Sequence, residues 1–429
     1  MELEKLDTIA QQLFEILPES LWRGKGVDEI EGEVQKVVSQ IGKRVLGQQV
    51  IAARITELEQ EIEEGVQRCE CGGRYQVHKR RVKIHPKSVF GAQELTRTQY
   101  VCVECGQYEV VADRVLGIES PRLTPRLATM VALCGASWSY PVASAFLTFF
   151  LGVEVCAKTV CNLTCSEATQ PLPLAPDPLK APPGVVQMDG VRIQGRVPDQ
   201  WLEMKVGSFF SQTAEVSKDR REVLDASFVG SACQAWQEFE RPVTLEAHRR
   251  GLRCDEPIEF IADGALGIWS LQAVVFPNAR PRLDLYHGKR KITERLAQAF
   301  GDMPDQAAHP EAVMGCFETG QVDAAIAYLN AHRPTEEKAA SVIDKLTGYL
   351  ARHRAHIPNY HQVRDSGGTV SSGLGEKAND LIVVRRMKDP LMHWSREGAD
   401  PVSQHRTAFI NQFSHARLGS YETAFCFNQ

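Results

Sequence analysis

The chain has 429 residues, a formal net charge of −5, 43% hydrophobic residues and 24% charged residues. That length exceeds what one hydrophobic core usually organises, so two or three domains are expected, with the composition of an ordinary globular protein. No stretch approaches the roughly 18 consecutive apolar residues of a membrane span, and the acidic, amphipathic start MELEKLDTIAQQLFEILPES lacks the basic opening and continuous apolar run of a secretory signal. A cytoplasmic protein with no membrane partner is predicted. The acidic balance argues against a uniformly basic nucleic-acid binder, so any such binding must come from local surfaces.

Residues 1–66 are predicted to form an N-terminal helical region. From Leu6 to about Gly65 apolar positions recur at three- and four-residue steps, ending in Ile51, Ile55, Leu58 and Ile62. Such a stripe either packs on its own domain or joins two subunits in a short coiled coil, and the second reading makes the protein a homo-oligomer.

Residues 67–117 alternate apolar and polar positions and read as short strands. Cys69 and Cys71 lie in CECGG, Cys102 and Cys105 in CVECG. Two glycine-bearing knuckles on adjacent hairpins suit the tetrahedral arrangement that structural Zn²⁺ accepts. The one-residue spacer of the first knuckle leaves a distorted ribbon, or one recruiting His78, as alternatives. The basic run His78 to Lys87 either faces phosphates or is simply solvated.

Residues 118–169 read as helices in the outline of a helix-turn-helix, the last beginning near Cys156 to Lys158. Lys158, Thr159 and Asn162 are its candidate DNA contacts; a plain three-helix packing unit is the alternative. The proline-dense stretch Gln170 to Gly184 is a linker. From residue 185 to 429 the pattern is that of an α/β domain, with strands in VVQMDGVRI, in WLEMKVGSFF, near Ala226 to Val229 and in IEFIADGA, and with a helical insertion at about 291–370.

Asp189 is expected to end an apolar strand, Val185 to Met188, and is followed by glycine; Asp263 follows IEFIA in the same way. Either one alone is an ordinary Asp-Gly turn. Together with Glu376, which opens a late helix, they form a set of carboxylates suited to two divalent ions in phosphodiester chemistry, on a sheet of the ribonuclease-H type. Asp284 and His287, just beyond the next strand, are auxiliary candidates: a histidine there positions a phosphate, shuttles a proton or is a core residue. Arg385, Arg386 and Lys388 are candidate DNA-backbone contacts, with Lys205 similarly placed on a strand. Trp394 is assigned to the core.

The runs QMDGVRI, WLEMKVG, ADGALGIW, LDLYHGK, IPNY, SSGLGEKANDLIVVRRMK and MHWSREGAD, in that order, together with CECGG, YVCVECG and LGIES, resemble the DDE-type transposases of the ISKra insertion-sequence family. The resemblance spans roughly Cys69 to Asn411, although the first knuckle and the KDPLMHW segment are shorter than the family habit. It implies a multidomain α/β protein: an RNase-H-like catalytic domain with a helical insertion, preceded by zinc-ribbon-like and helix-turn-helix modules. It also implies catalytic acids at Asp189, Asp263 and Glu376, two Mg²⁺ (or Mn²⁺) ions held by them, a structural Zn²⁺, and terminal-repeat and target DNA as partners. Rival expectations are a transposase-derived DNA-binding protein without catalysis and a nuclease of the same fold that cuts without joining.

Overall fold

The computed structural model describes residues 3–118, 123–166, 182–217, 220–233, 235–253, 255–301, 308–389 and 391–418. Most of the expected linker, 170–184, lies outside them. The chain divides into two compact units, Met1–Cys134 with Tyr140–Leu163, and Gly135–Ser139 with Thr164–Gln429.

In the first unit, helix α1 (Leu3–Ile16) precedes α2 (Val27–Lys43), which continues through π-helical turns at Arg44–Ile51 into α3 (Ala52–Glu63). Strands β1 (Tyr75–Ile84), β4 (Leu95–Cys102) and β5 (Tyr108–Glu109) form an antiparallel sheet in the order β1-β4-β5, with a small ribbon of β2 (Lys87–Ser88) and β3 (Gly91–Ala92) between the first two. Helix α4 (Val111–Leu116) follows. Ile55 and Leu58 of α3 share a core with Ile84, Leu95 and Ala112, while Ile62 packs with Tyr100 and Val111. A three-stranded sheet needs a cover for its apolar face, and α3 is that cover. The boundary expected at residue 66 therefore does not separate two cores, and the α3 stripe is consumed within the chain. Helices α5 (Pro125–Ser137), α6 (Tyr140–Leu151) and α7 (Ala157–Thr164) follow. Leu127, Val131, Ala143, Leu147, Val155 and Val160 form a separate cluster there.

The second unit is built on β6 (Val185–Gln194), β7 (Trp201–Phe210), a hairpin of β8 (Gln212–Ser217) and β9 (Arg220–Leu224), β10 (Ser227–Ser231), β11 (Glu259–Ala262) and β12 (Arg280–Leu283). The five-stranded sheet has the order β10-β7-β6-β11-β12, antiparallel across the first three strands and parallel from β6 to β12. Helix α8 (Trp236–Arg249) precedes β11, and α9 (Leu266–Val275) joins β11 to β12. After β12 come α10 (Leu285–Phe300), α11 (Ala308–Glu318), α12 (Val322–Ala331), α13 (Glu337–Arg352), α14 (Tyr360–Asp365), α15 (Gly373–Asn379), α16 (Arg385–Met387) and α17 (Arg396–Leu418).

Side chains alternate across a strand, so β6 sends Val186 and Met188 into a core with Phe239, Trp269 and Ile292, and Val185 and Ile193 into another with Leu374, Ile382, Trp394 and Val402. The helical run starts at Leu285 rather than near 291, because Asp284 caps α10 by accepting a 2.6 Å hydrogen bond from the His287 backbone N–H. No helix among the described residues is long and apolar enough to cross a membrane.

Candidate functional site

The ladder register of the parallel strands organises the carboxylates. Ala262 pairs with Met188 on one side and Leu283 on the other. Asp189, Asp263 and Asp284 are the next residues of their respective chains, which sets three aspartates side by side at the carboxyl edge of adjacent parallel strands. Asp189 does not end its strand as expected: β6 continues against antiparallel β7 to the pair Gln194 and Trp201. It is the parallel neighbour that stops, one residue short of Asp189.

Asp189 is only 9% exposed. Its Oδ1 accepts from the Gly190 N–H at 2.7 Å and its Oδ2 from Asn379 Nδ2 at 2.6 Å. Burial first, then the charge of Asp263, push its carboxyl up to about 6 despite these donors. Asp263 Oδ1 accepts from the Ala265 N–H at 3.0 Å, at the entrance to α9. Gly264 has φ +96°, and a Cβ there would lie 2.9 Å from Leu283 Cδ1 and 3.3 Å from the His353 ring, so the Asp-Gly pair is required by both conformation and space.

Glu376 is brought to this edge by two ties on α15. Buried Gln187, two residues before Asp189 on the same face of β6, accepts from the Gly375 N–H at 2.9 Å and donates to the Ser371 carbonyl at 2.9 Å. Asp284 Oδ2 accepts from both the N–H and the Oγ of Ser372, the latter at 2.9 Å. Gly375 faces Asp189 closely enough that an added Cβ would lie 3.7 Å from the Asp189 Cβ. His287 links the acids: Nδ1 is 3.2 Å from Asp284 Oδ1 and Nε2 is 3.5 Å from Glu376 Oε1. The Asp284 carboxylate beside it raises the imidazole pKa against the opposing effect of burial. Asp284 is buried, which alone would raise its pKa, yet the donors His287 and Ser372 hold it below the ordinary carboxylate range. Its evident work is to cap α10 and tether α15.

The second cluster is in the first unit. Cys69, Cys71, Cys102 and Cys105 have sulfurs all within 4.8 Å of one another, and they are the one group of three or more potential metal ligands so arranged among the described residues. Cys69 Sγ lies 3.7 Å from Cys105 Sγ, and Cys71 Sγ lies 3.5 Å from Cys102 Sγ. A tetrahedron with Zn–S arms of about 2.3 Å has edges close to these values. The knuckles match despite their unequal spacers: Gly72 (φ +85°) and Gly106 (φ +73°) turn the chain, their N–H groups donating to Cys69 O and Cys102 O. The four-thiol set could bind a structural zinc ion without His78, whose ring packs edge-on against Tyr108 at 4.6 Å. Cys71 is pushed up to about 12 by the neighbouring sulfurs of Cys105 and Cys102, against the favourable Gly73 N–H, and Cys105 is drawn down to about 7, first by the Gln107 N–H. Four sulfurs at this separation could hold a cation in place of their protons.

The remaining candidates divide. Lys158 and Asn162 are exposed on α7 and Thr159 is half-buried, with its Oγ1 3.2 Å from Cys156 Sγ. Arg385 is exposed and paired with Asp380 at 3.0 Å, and Lys388 is exposed. Arg386 is not a surface residue: it is 3% exposed, donates from Nε to the Gly135 carbonyl at 3.0 Å and stacks over the Trp394 ring at 5.0 Å. Lys205 is also unavailable to DNA, fully buried between Glu203 Oε2 at 3.1 Å and the Cys233 carbonyl at 2.9 Å. Trp394 is buried. Gln187 and Asn379 are site residues that sequence reasoning misses. Their signals are a lone amide in the apolar VVQMDG strand and an asparagine one helical turn beyond Glu376. No protein-family model matches the chain, and no curated protein matches it.

Proposed function

We propose that the protein is a DDE-type DNA transposase, similar to those of the ISKra family, that hydrolyses phosphodiesters at insertion-sequence ends and joins the freed 3′-ends to target DNA. The observation that carries this reading is the row of aspartates following the Met188, Ala262 and Leu283 ladder, with α15 tied over it so that Glu376 approaches from the sheet's second face. The strand order, three antiparallel strands flanked by two parallel ones, supports an RNase-H-like domain, with the helices after β12 as its insertion.

The donor set fits Mg²⁺ or Mn²⁺: Asp189, Asp263 and Glu376 offer hard carboxylate oxygens, and Asp189 is buried beside the like charge of Asp263. Two such ions would neutralise charge at the attacking and leaving oxygens of an in-line displacement. The chain's own residues supply the positioning. Asn379 and the Gly190 N–H fix the Asp189 carboxylate, and Gln187 and Asp284 fix α15. His287, held by Asp284, sits where it orients Glu376 or holds a proton at Nε2. The cysteine centre would hold Zn²⁺ in a structural role, and Lys158, Thr159 and Asn162 are the proposed DNA contacts of α7.

The test is incubation of the full chain with Mg²⁺ and duplexes carrying the sequences that bound its gene, scored for joined product. Joining is expected. Glu376→Gln should reduce cleavage and joining by at least ~10²-fold, about 2.7 kcal/mol of barrier, with binding and folding near normal, whereas Glu397→Gln should leave the rate alone. Cleavage without joining would make the protein a nuclease, and DNA binding without either would leave the catalytic reading without support.

A further inference from the structure

Helices α10 and α13 pack side by side through Ile292 and Leu296 on one and Ile343, Leu346 and Leu350 on the other. Along their outer edges they enclose a cavity of ≈ 370 Å³ lined by Lys291, Arg295, Lys345, Tyr349 and Arg352, with Asp344 as its one acid. That acid is already engaged: Arg333 donates to Asp344 twice, at 2.8 and 2.7 Å. Lys291 Nζ lies 4.3 Å from the centre of the Tyr349 ring, and Arg295 donates to Gln298 at 3.0 Å. None of the four cations forms an ion pair with a described residue. In a chain whose net charge is −5, four unneutralised cations around one cavity are a concentrated positive field, and such fields attract polyanions.

The placement adds direction. His287, Lys291 and Arg295 follow one another at four-residue intervals and so share one face of α10. The first of them is 3.5 Å from Glu376. Successive members of the row are about 6 Å apart along the helix axis, on the scale of the step between neighbouring phosphates of a strand. Lys345 and Arg352, seven residues apart on α13, form the opposite wall. The row thus begins at the carboxylates and leads away from them across the helical segment.

We propose that the groove between α10 and α13 binds the phosphodiester backbone of the DNA flanking the reacting phosphate, so that the helices after β12 position DNA at the acids. That the phosphate reacts rests on the transposase reading; that the groove binds phosphates rests on the cavity and its charges.

Fluorescence anisotropy of the full chain with a labelled duplex of about 30 base pairs, over a range of KCl concentrations, tests this. For Lys345→Glu/Arg352→Glu, and more mildly for Lys345→Gln/Arg352→Gln, affinity should fall by at least about tenfold at low salt. The slope of log affinity against log salt should shrink by about 2, close to one unit for each phosphate no longer neutralised. Arg253→Glu, at an exposed arginine elsewhere in the same unit, should change neither by as much. Variants with native melting temperatures that bind with wild-type affinity and salt slope would overturn the groove. Cleavage by the wild-type chain is scored separately. A groove effect without any metal-dependent cleavage leaves this proposal standing and removes the transposase reading, whereas wild-type cleavage with unaffected variants does the reverse.

Discussion

Buried histidine beside the Asp-Gly turn gives the second unit a defined response to acid. His353 is 1% exposed, its Nδ1 has no hydrogen-bond partner, and it packs among Trp269, Tyr349 and His356. Burial first, then nearby positive charge, lower its pKa from 6.5 to about 4. The neutral ring is the native form, so its contribution is fully present above pH 6.5 and is lost as pH falls toward 4, where protonation favours the unfolded chain. The full effect is about 3 kcal/mol. Replacing His353 by Phe should remove this dependence, so that the melting temperature of the variant gains on the wild type between pH 6.5 and 4; parallel curves across that window would contradict it. Single residues also explain why Arg385 and Arg386 are alike in the sequence and differ in the fold. Adjacent helical positions diverge by about 100°, and the partners on one side, Trp394 and the Gly135 carbonyl, decide which arginine is covered.

At the scale of elements, the cysteine knuckles were legible because their chemistry is local: paired cysteines with a following glycine define a turn whatever surrounds it. The partner of α3 was not legible, since periodicity reveals that a helix has an apolar stripe but not what covers it. The sheet of the first unit is small, and a metal bound by its four cysteines would be a large share of its folding energy. Metal analysis of the purified protein should find about one Zn²⁺ per chain. Stripping it with a chelator, or changing Cys102 to Ser, should lower the melting transition of the first unit while leaving that of the second in place. A well-folded, reduced protein without zinc would remove the site. The acids are an intermediate case: strand-end Asp-Gly was readable at Asp263, while at Asp189 the strand runs on, because its length is set by β7 and not by its own composition.

Across the whole molecule, strand content was readable from alternation and apolar runs, and the mixed α/β character followed from it. Strand order and the β8 and β9 hairpin were not, because pairing depends on partners far apart in the chain. Nor was the way in which the helices after β12 are joined to the sheet. Asp284 and Ser372 are 88 residues apart in sequence yet hydrogen-bonded, so the intervening helices leave and return at one point. In the language of polymer physics this is a loop closed at its neck, and the entropy of closure grows only logarithmically with contour length, about 0.6 kcal/mol for each doubling. A short flexible insert in the turn between α12 and α13, at residues 332–336, should therefore cost well under ~1 kcal/mol and leave the proposed DNA cleavage near the wild-type rate, as a chemical melt and a cleavage assay would show. Breaking the neck with Asp284→Ala should do the opposite, releasing α15 and uncapping the first turn of α10.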